Sequence, residues 1–85
     1  MVKILTAYKE QSLYIAKILQ ENGPLRADEV RRLGGPDNTA AILNQNVLGW
    51  FDRAEKLKNG RYLYKISEEG GSALLEFSWI FNDFH

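Results

Sequence analysis

Residues 50–66 read WFDRAEKLKNGRYLYKI, and this stretch decides the fold class. Residues 50–54 and 61–66 are rich in aromatic residues, which is typical of strands and predicts two of them. Between them, the charged residues 55–60 end in Asn59-Gly60, a dipeptide typical of a tight hairpin turn. The stretch therefore predicts a β-hairpin in the second half of the chain.

Upstream of the hairpin, apolar residues recur at helical spacing. This periodicity predicts a first helix over residues 7–22, ended by Gly23, and a short second helix over residues 27–33. A third helix is predicted to begin at residues 36–38 and to run to about residue 48. The predicted inward-facing residues are Ile15, Ile18, Leu19, Val30, Leu33, Ala40, Leu43 and Val47.

Downstream of the hairpin, the periodicity becomes helical again over about residues 68–84, with Ser67 as the expected cap. Gly70-Gly71 weakens the first turn, so the regular part of this fourth helix is expected to begin at Ser72. The fold class is predicted to be α+β, mainly α with a small β-hairpin. Residues 1–85 are predicted to form one domain, with its core in residues 7–67 and a carboxy-terminal helix over about residues 68–84.

The charge of the chain is balanced overall but uneven along its length. Eleven Lys and Arg stand against eleven Asp and Glu, for a net charge of zero. Residues 50–65 carry five cations and two anions, whereas residues 66–85 carry four anions and no Lys or Arg. Zero net charge lowers the expectation of a dedicated nucleic-acid binder, but the hairpin forms one compact basic segment.

The order of elements and two sequence segments resemble a known family. Residues 18–25 (ILQENGPL) are similar to the opening of many bacterial and phage regulators. Residues 49–53 (GWFDR) and 60–70 (GRYLYKISEEG) are similar to a recurrent signature of the β-hairpin that is called the wing in such proteins. The family is that of winged helix-turn-helix DNA-binding domains, including modules of restriction-type nucleases, of antitoxins and of nuclease-like proteins of unknown function. The resemblance covers about residues 13–75, and it implies a short extra strand near Leu25.

In DNA-binding members of this fold the third helix enters the major groove and the wing holds the backbone. The resemblance therefore implies that part of the third helix faces base edges and that the wing cations reach phosphates. The DNA-binding residues are predicted to be Asn38, Thr39, Asn44, Gln45, Arg53, Lys56, Lys58 and Arg61. The alternative is a polar, solvated helix face beside a charged hairpin tip that only keeps the chain soluble.

The carboxy-terminal helix is predicted to be apolar on two sides, and such a helix is usually buried on two sides. One side would cover the core and the other a symmetry mate or a partner domain. The predicted interface residues are Leu75, Phe77, Trp79, Phe81 and Phe84. Alternatively, Trp79 only folds over the amino-terminal residues.

An enzymatic function is not expected. The sequence has no cysteine and its one histidine is the last residue, so a Cys- or His-based metal site or catalytic base is lacking. The acidic residues Asp52, Glu55, Glu68 and Glu69 are predicted at exposed positions. A pair of catalytic carboxylates would need a cleft that shifts their pKa values, and a domain of this size offers little cleft. We expect no cofactor, no membrane contact and a cytoplasmic location.

Two functions remain as hypotheses. The first is a winged-helix domain that binds double-stranded DNA, as a transcriptional regulator or as the targeting module of a larger nuclease-like or antitoxin system. The second is a protein-interaction module, such as a homodimer formed through the carboxy-terminal helix, that uses the same scaffold without nucleic acid.

Overall fold

The computed structural model of the chain describes residues 6–78. Within these residues the chain is mainly helical with one two-stranded antiparallel hairpin, which confirms the predicted α+β class. The elements follow one another in the predicted order. They are α1 (Ala7–Asn22), α2 (Ala27–Arg32), α3 (Thr39–Gln45), β1 (Phe51–Lys56), β2 (Tyr62–Ile66) and α4 (Glu68–Glu76).

Helix α1 has the predicted bounds, because both of its ends are capped locally. The Thr6 hydroxyl accepts a hydrogen bond from the Lys9 backbone N–H at 3.2 Å. At the other end, Gly23 takes a φ of +79° and its N–H donates to the Leu19 carbonyl at 2.9 Å. Leu13 is fully buried although it lies off the stripe that the spacing predicted, so α1 is buried over a wider face than that stripe.

Helix α2 begins without a Ser or Thr cap, because Arg26 occupies its N-cap position. The Glu29 carboxylate replaces the cap by accepting a hydrogen bond from the Arg26 backbone N–H at 3.0 Å. Val30 is fully buried, but Leu33 is 54% exposed. The predicted inward role of Leu33 is wrong, because the helix ends before it and the chain turns away at Gly34, where φ is +112°.

Helix α3 is shorter than predicted and ends at Asn46, which adopts a left-handed conformation with φ of 46°. The Asn46 side chain donates to the Phe51 carbonyl at 2.7 Å and accepts from the Phe51 N–H at 3.2 Å. These two bonds turn the chain into the hairpin. Ala40 and Val47 are exposed, Val47 to 71%, so the predicted inward stripe is wrong at both positions.

The hairpin pairs Phe51 with Ile66 at its base and Lys56 with Tyr62 near its tip. A register shift between Arg53 and Glu55 places an extra residue in β1, the pattern of a β-bulge. A single β-bridge joins Leu25 to Tyr64, with backbone N–H···O distances of 3.0 and 2.7 Å. The expected extra strand near Leu25 is therefore present as one bridge.

Helix α4 begins at Glu68 and not at Ser72, because Ser67 and Gly70 together fix its first turn. The Ser67 hydroxyl accepts from the Gly70 N–H at 3.1 Å and donates to the Gly49 carbonyl at 2.6 Å. The helix ends at Glu76, well before the predicted end near residue 84. Residues 79–84 of that prediction lie outside the described residues.

One hydrophobic core joins the helices and the hairpin. α4 belongs to it, so the predicted core of residues 7–67 was too short. No helix within residues 6–78 combines the length and the apolar composition that crossing a bilayer requires. The buried hydrophobic residues are Leu13, Ile15, Ala16, Leu19, Val30, Ile42, Leu43, Trp50, Phe51, Tyr64, Ala73, Leu74 and Phe77.

Candidate functional site

A groove of about 480 Å³ separates α2 and α3 from the hairpin. Charged, amide and tyrosyl side chains share its walls with alanine and glycine, so polar and apolar surfaces both line it. Its lining residues are Arg26, Ala27, Asp28, Arg31, Asp37, Ala40, Asn44, Gly60, Arg61, Tyr62 and Tyr64.

Asn44 and Tyr64 line this groove and also a second concavity of about 240 Å³, which Arg53 lines as well. The buried Tyr64 hydroxyl donates to the Asn44 Oδ1 at 2.6 Å, which links the middle of α3 to the hairpin. Asn44 itself is exposed. We call these two concavities together the α3–hairpin groove. Asn44 lines both concavities, whereas Arg61 lines the first and Arg53 the second.

The four predicted wing cations, Arg53, Lys56, Lys58 and Arg61, are all exposed. Among residues 6–78, none of the four is within ion-pair distance of an acidic side chain. Arg53 lies over the Tyr62 ring, with its guanidinium carbon 4.4 Å from the ring centroid. The hairpin thus carries cations that no described carboxylate neutralises.

The arginines of the second helix differ from the wing cations because they have acidic neighbours. Arg26 lies 3.4 Å from Asp28, and Arg32 lies 3.7 Å from the same carboxylate. Arg31 lies 3.4 Å from Asp37 across the turn between α2 and α3. These exposed pairs contribute little to stability, but they offset the positive charge that α2 would present to an anion.

The predicted DNA-contacting residues of α3 and its N-cap, Asn38, do not form one exposed surface. Thr39 is fully buried and its hydroxyl donates to the Pro36 carbonyl at 2.5 Å, so its predicted contact with base edges is wrong. The Asn38 amide donates to the Gln11 Oε1 of α1 at 3.2 Å. Asn44 and Gln45 are exposed on α3. A threonine three residues after Pro36 was itself a signal, because its hydroxyl can bond back to that carbonyl.

Tyr64 is the site residue that sequence reasoning missed. Tyr64 belongs to the hydrophobic core, with an exposure of 5%. Its hydroxyl nevertheless reaches α3, since a buried Tyr hydroxyl usually finds a polar partner. That rule, applied to the alternation of Tyr62 and Tyr64, was the available signal.

The predicted interface on the carboxy-terminal helix is only partly present. Phe77 is 7% exposed and packs in the chain's own core, so its assignment to an interface is wrong. Leu75 is 80% exposed on the opposite side of α4. Trp79, Phe81 and Phe84 lie outside the described residues.

The acidic residues do not assemble into a metal centre within residues 6–78. Asp52, Glu55, Glu68 and Glu69 are exposed, as the sequence indicated. Asp37 belongs to the groove, but its side chain is 97% exposed and it pairs with Arg31.

A family model matches residues 1–73 of the chain, and the family is described as "Putative PD-(D/E)XK phosphodiesterase (DUF2161)". No curated protein and no solved structure matches the chain. The description agrees with the nuclease-like side of the resemblance and names no winged helix. It also names an enzyme, which differs from the expectation that the chain has no enzymatic function.

Proposed function

The chain belongs to the DUF2161 family, and on that premise we propose that it is a winged-helix module that binds double-stranded DNA for a phosphodiesterase of this family. In this proposal the chain targets the DNA, and catalytic residues outside it cut the phosphodiester bond. The observation that carries the proposal is the set of exposed hairpin cations without acidic partners among the described residues, beside the α3–hairpin groove.

The sequence supports a targeting role over a catalytic one. The motif in the family's description needs an acidic residue two positions before a lysine, but none of the six lysines in this sequence has one there. The Pro-Asp half of the motif occurs once, as Pro36-Asp37, on an exposed turn. A metal-dependent cut needs several oxygen ligands around a cation, and Asp37 alone does not supply them.

The charge distribution supports phosphate binding by the hairpin. Asp52 and Lys65 are register partners near its base, so their charges face each other across the strands. Beyond them, four cations and only Glu55 remain on residues 53–61. Unpaired Lys and Arg on one compact element attract phosphates through counterion release, even when the whole chain is neutral.

The test is the salt dependence of binding to a random-sequence 20-base-pair duplex, followed by fluorescence anisotropy. If the four hairpin cations each neutralise one phosphate, the slope of log K against log salt concentration will be about −3 to −4. Absence of binding at low salt, or a slope near zero, would reject the proposal. Cleavage of that duplex in Mg²⁺, lost in Asp37→Asn, would overturn its non-catalytic part.

A second candidate function is dimerisation through α4, which the exposure of Leu75 favours. A leucine exposed to 80% on a helix is an apolar contact that a symmetry mate can cover. We expect Leu75→Glu to convert a concentration-dependent dimer to a monomer in sedimentation velocity. Leu33→Glu is the matched control, since Leu33 is an exposed leucine on a different element. A wild-type chain that stays monomeric at high concentration would exclude this candidate.

A further inference from the structure

The exposed face of α3 is composed of only two kinds of side chain. Residues 40, 41, 44 and 45 occupy one side of the helix, and the opposite side is buried through Thr39, Ile42 and Leu43. The exposed residues are two alanines and two carboxamides, Asn44 and Gln45. The face contains no Arg or Lys and no Asp or Glu, although the neighbouring hairpin is rich in cations.

This composition is selective among base pairs. In the major groove, Asn and Gln pair with the N6 and N7 of adenine, and an alanine methyl contacts the thymine C5-methyl. Guanine is usually read by Arg or Lys and cytosine by Asp or Glu, and these residue types are absent from the face. The small side chains of Ala40 and Ala41 also allow α3 to approach the base edges closely, so that the short Asn44 side chain can reach them.

Asn44 is held in one orientation before any DNA binds. The Tyr64 hydroxyl donates to its Oδ1 at 2.6 Å from the hairpin side, which leaves the Nδ2 donor and a second Oδ1 lone pair open. An amide that is already oriented loses less conformational entropy when it pairs with a base. Tyr64 is therefore a positioning residue, since its ring is buried and it acts through Asn44.

We propose that α3 reads A·T base pairs in the major groove, with Asn44, oriented by Tyr64, and Gln45 as the specificity-determining residues. This inference rests on the proposed function, because the hairpin cations must first bind the duplex. It goes beyond that function by naming the class of DNA sequence that the module prefers. The hairpin supplies affinity for any sequence, and the uncharged face of α3 supplies the preference.

The experiment compares two duplexes of equal length, one with a central A·T segment and one with only G·C pairs. We expect about tenfold tighter binding to the A·T duplex. Replacing adenine by 7-deazaadenine and thymine by uracil changes the major groove and leaves the minor groove unaltered. These replacements are expected to remove the preference without weakening the salt-dependent binding.

Three variants test whether Asn44 contacts the bases and whether the Tyr64 hydroxyl orients it. Asn44→Ala is expected to lower the A·T preference severalfold, mainly by weakening binding to the A·T duplex. Tyr64→Phe, which removes only the hydroxyl, is expected to lower the preference by a smaller factor, a readout that a merely structural role would not move. Asn22→Ala removes an exposed carboxamide from α1 and serves as the matched control.

Three outcomes distinguish this inference from the proposed function. Equal, salt-dependent affinity for both duplexes overturns the A·T reading and leaves the proposed function standing. A preference that survives 7-deazaadenine and uracil overturns it as well, because the minor groove or the shape of the duplex is then being read. Failure to bind either duplex at low salt rejects the proposed function itself.

Discussion

Replacing Gly70 by alanine is expected to destabilise the protein by about 2–3 kcal/mol, a cost typical of overpacking a close contact. A Cβ at this position would collide with the Trp50 carbonyl oxygen and lie 3.1 Å from the Trp50 carbonyl carbon. Both groups are backbone, so neither can rotate away. The Ser67 cap and the bond from the Ser67 N–H to the Trp50 carbonyl at 2.8 Å hold the same segments together.

Gly71 is the matched control for this prediction. It lies in the same helix, and a Cβ there would meet nothing within 4 Å. Alanine is favoured over glycine in a helix, so Gly71→Ala is expected to stabilise the protein by about 0.5–1 kcal/mol. Urea unfolding followed by circular dichroism measures both values. Stability changes of the same sign in the two variants would contradict the contact between Gly70 and Trp50.

Removing the charges at the hairpin tip is expected to have the largest effect on DNA binding. In the triple variant Lys56→Ala, Lys58→Ala and Arg61→Ala, we expect affinity for a random duplex to fall by about a hundredfold or more at about 50 mM salt. The slope against salt should become shallower by about one for each cation removed. All three side chains are exposed, so the fold should be unaffected.

Two single variants provide the control for that experiment. Lys9→Ala removes a cation from α1, and Arg32→Ala removes one that already lies near Asp28 at 3.7 Å. Each is expected to change the affinity only slightly. If each control lost as much affinity per cation removed as the triple hairpin variant, the chain would bind DNA through its overall charge and not through the proposed docking surface.

The family assignment and the chemistry of this chain are compatible if its role is targeting. A phosphodiesterase needs ligands for a metal and a DNA-binding surface, and the two can lie on different parts of a protein. The matched residues 1–73 include the whole hairpin and all of α3. The α3–hairpin groove therefore belongs to the part of the chain that carries the family likeness.

Local sequence rules predicted the elements well where a strong local signal exists. The aromatic-rich segments of residues 50–66, the Asn59-Gly60 turn and the Gly23 stop depend on neighbouring residues alone, and the corresponding elements are in place. The excess of positive charge on the hairpin also follows from the composition along the chain. These features require no knowledge of what packs against what.

The tertiary structure decided where elements end and which side chains are available. Asn46 ends α3 because its side chain forms hydrogen bonds with the Phe51 backbone. Glycine is needed at position 70 of α4 because a Cβ there would collide with the Trp50 backbone. The same is true of the site, since Thr39 is buried and Asn44 is oriented by Tyr64 from 20 residues away. Such contacts join residues distant in sequence, and periodicity carries information only about neighbours. The sequence alone therefore specified the kinds of elements and the charge on the hairpin, whereas packing selected the residues that face a ligand.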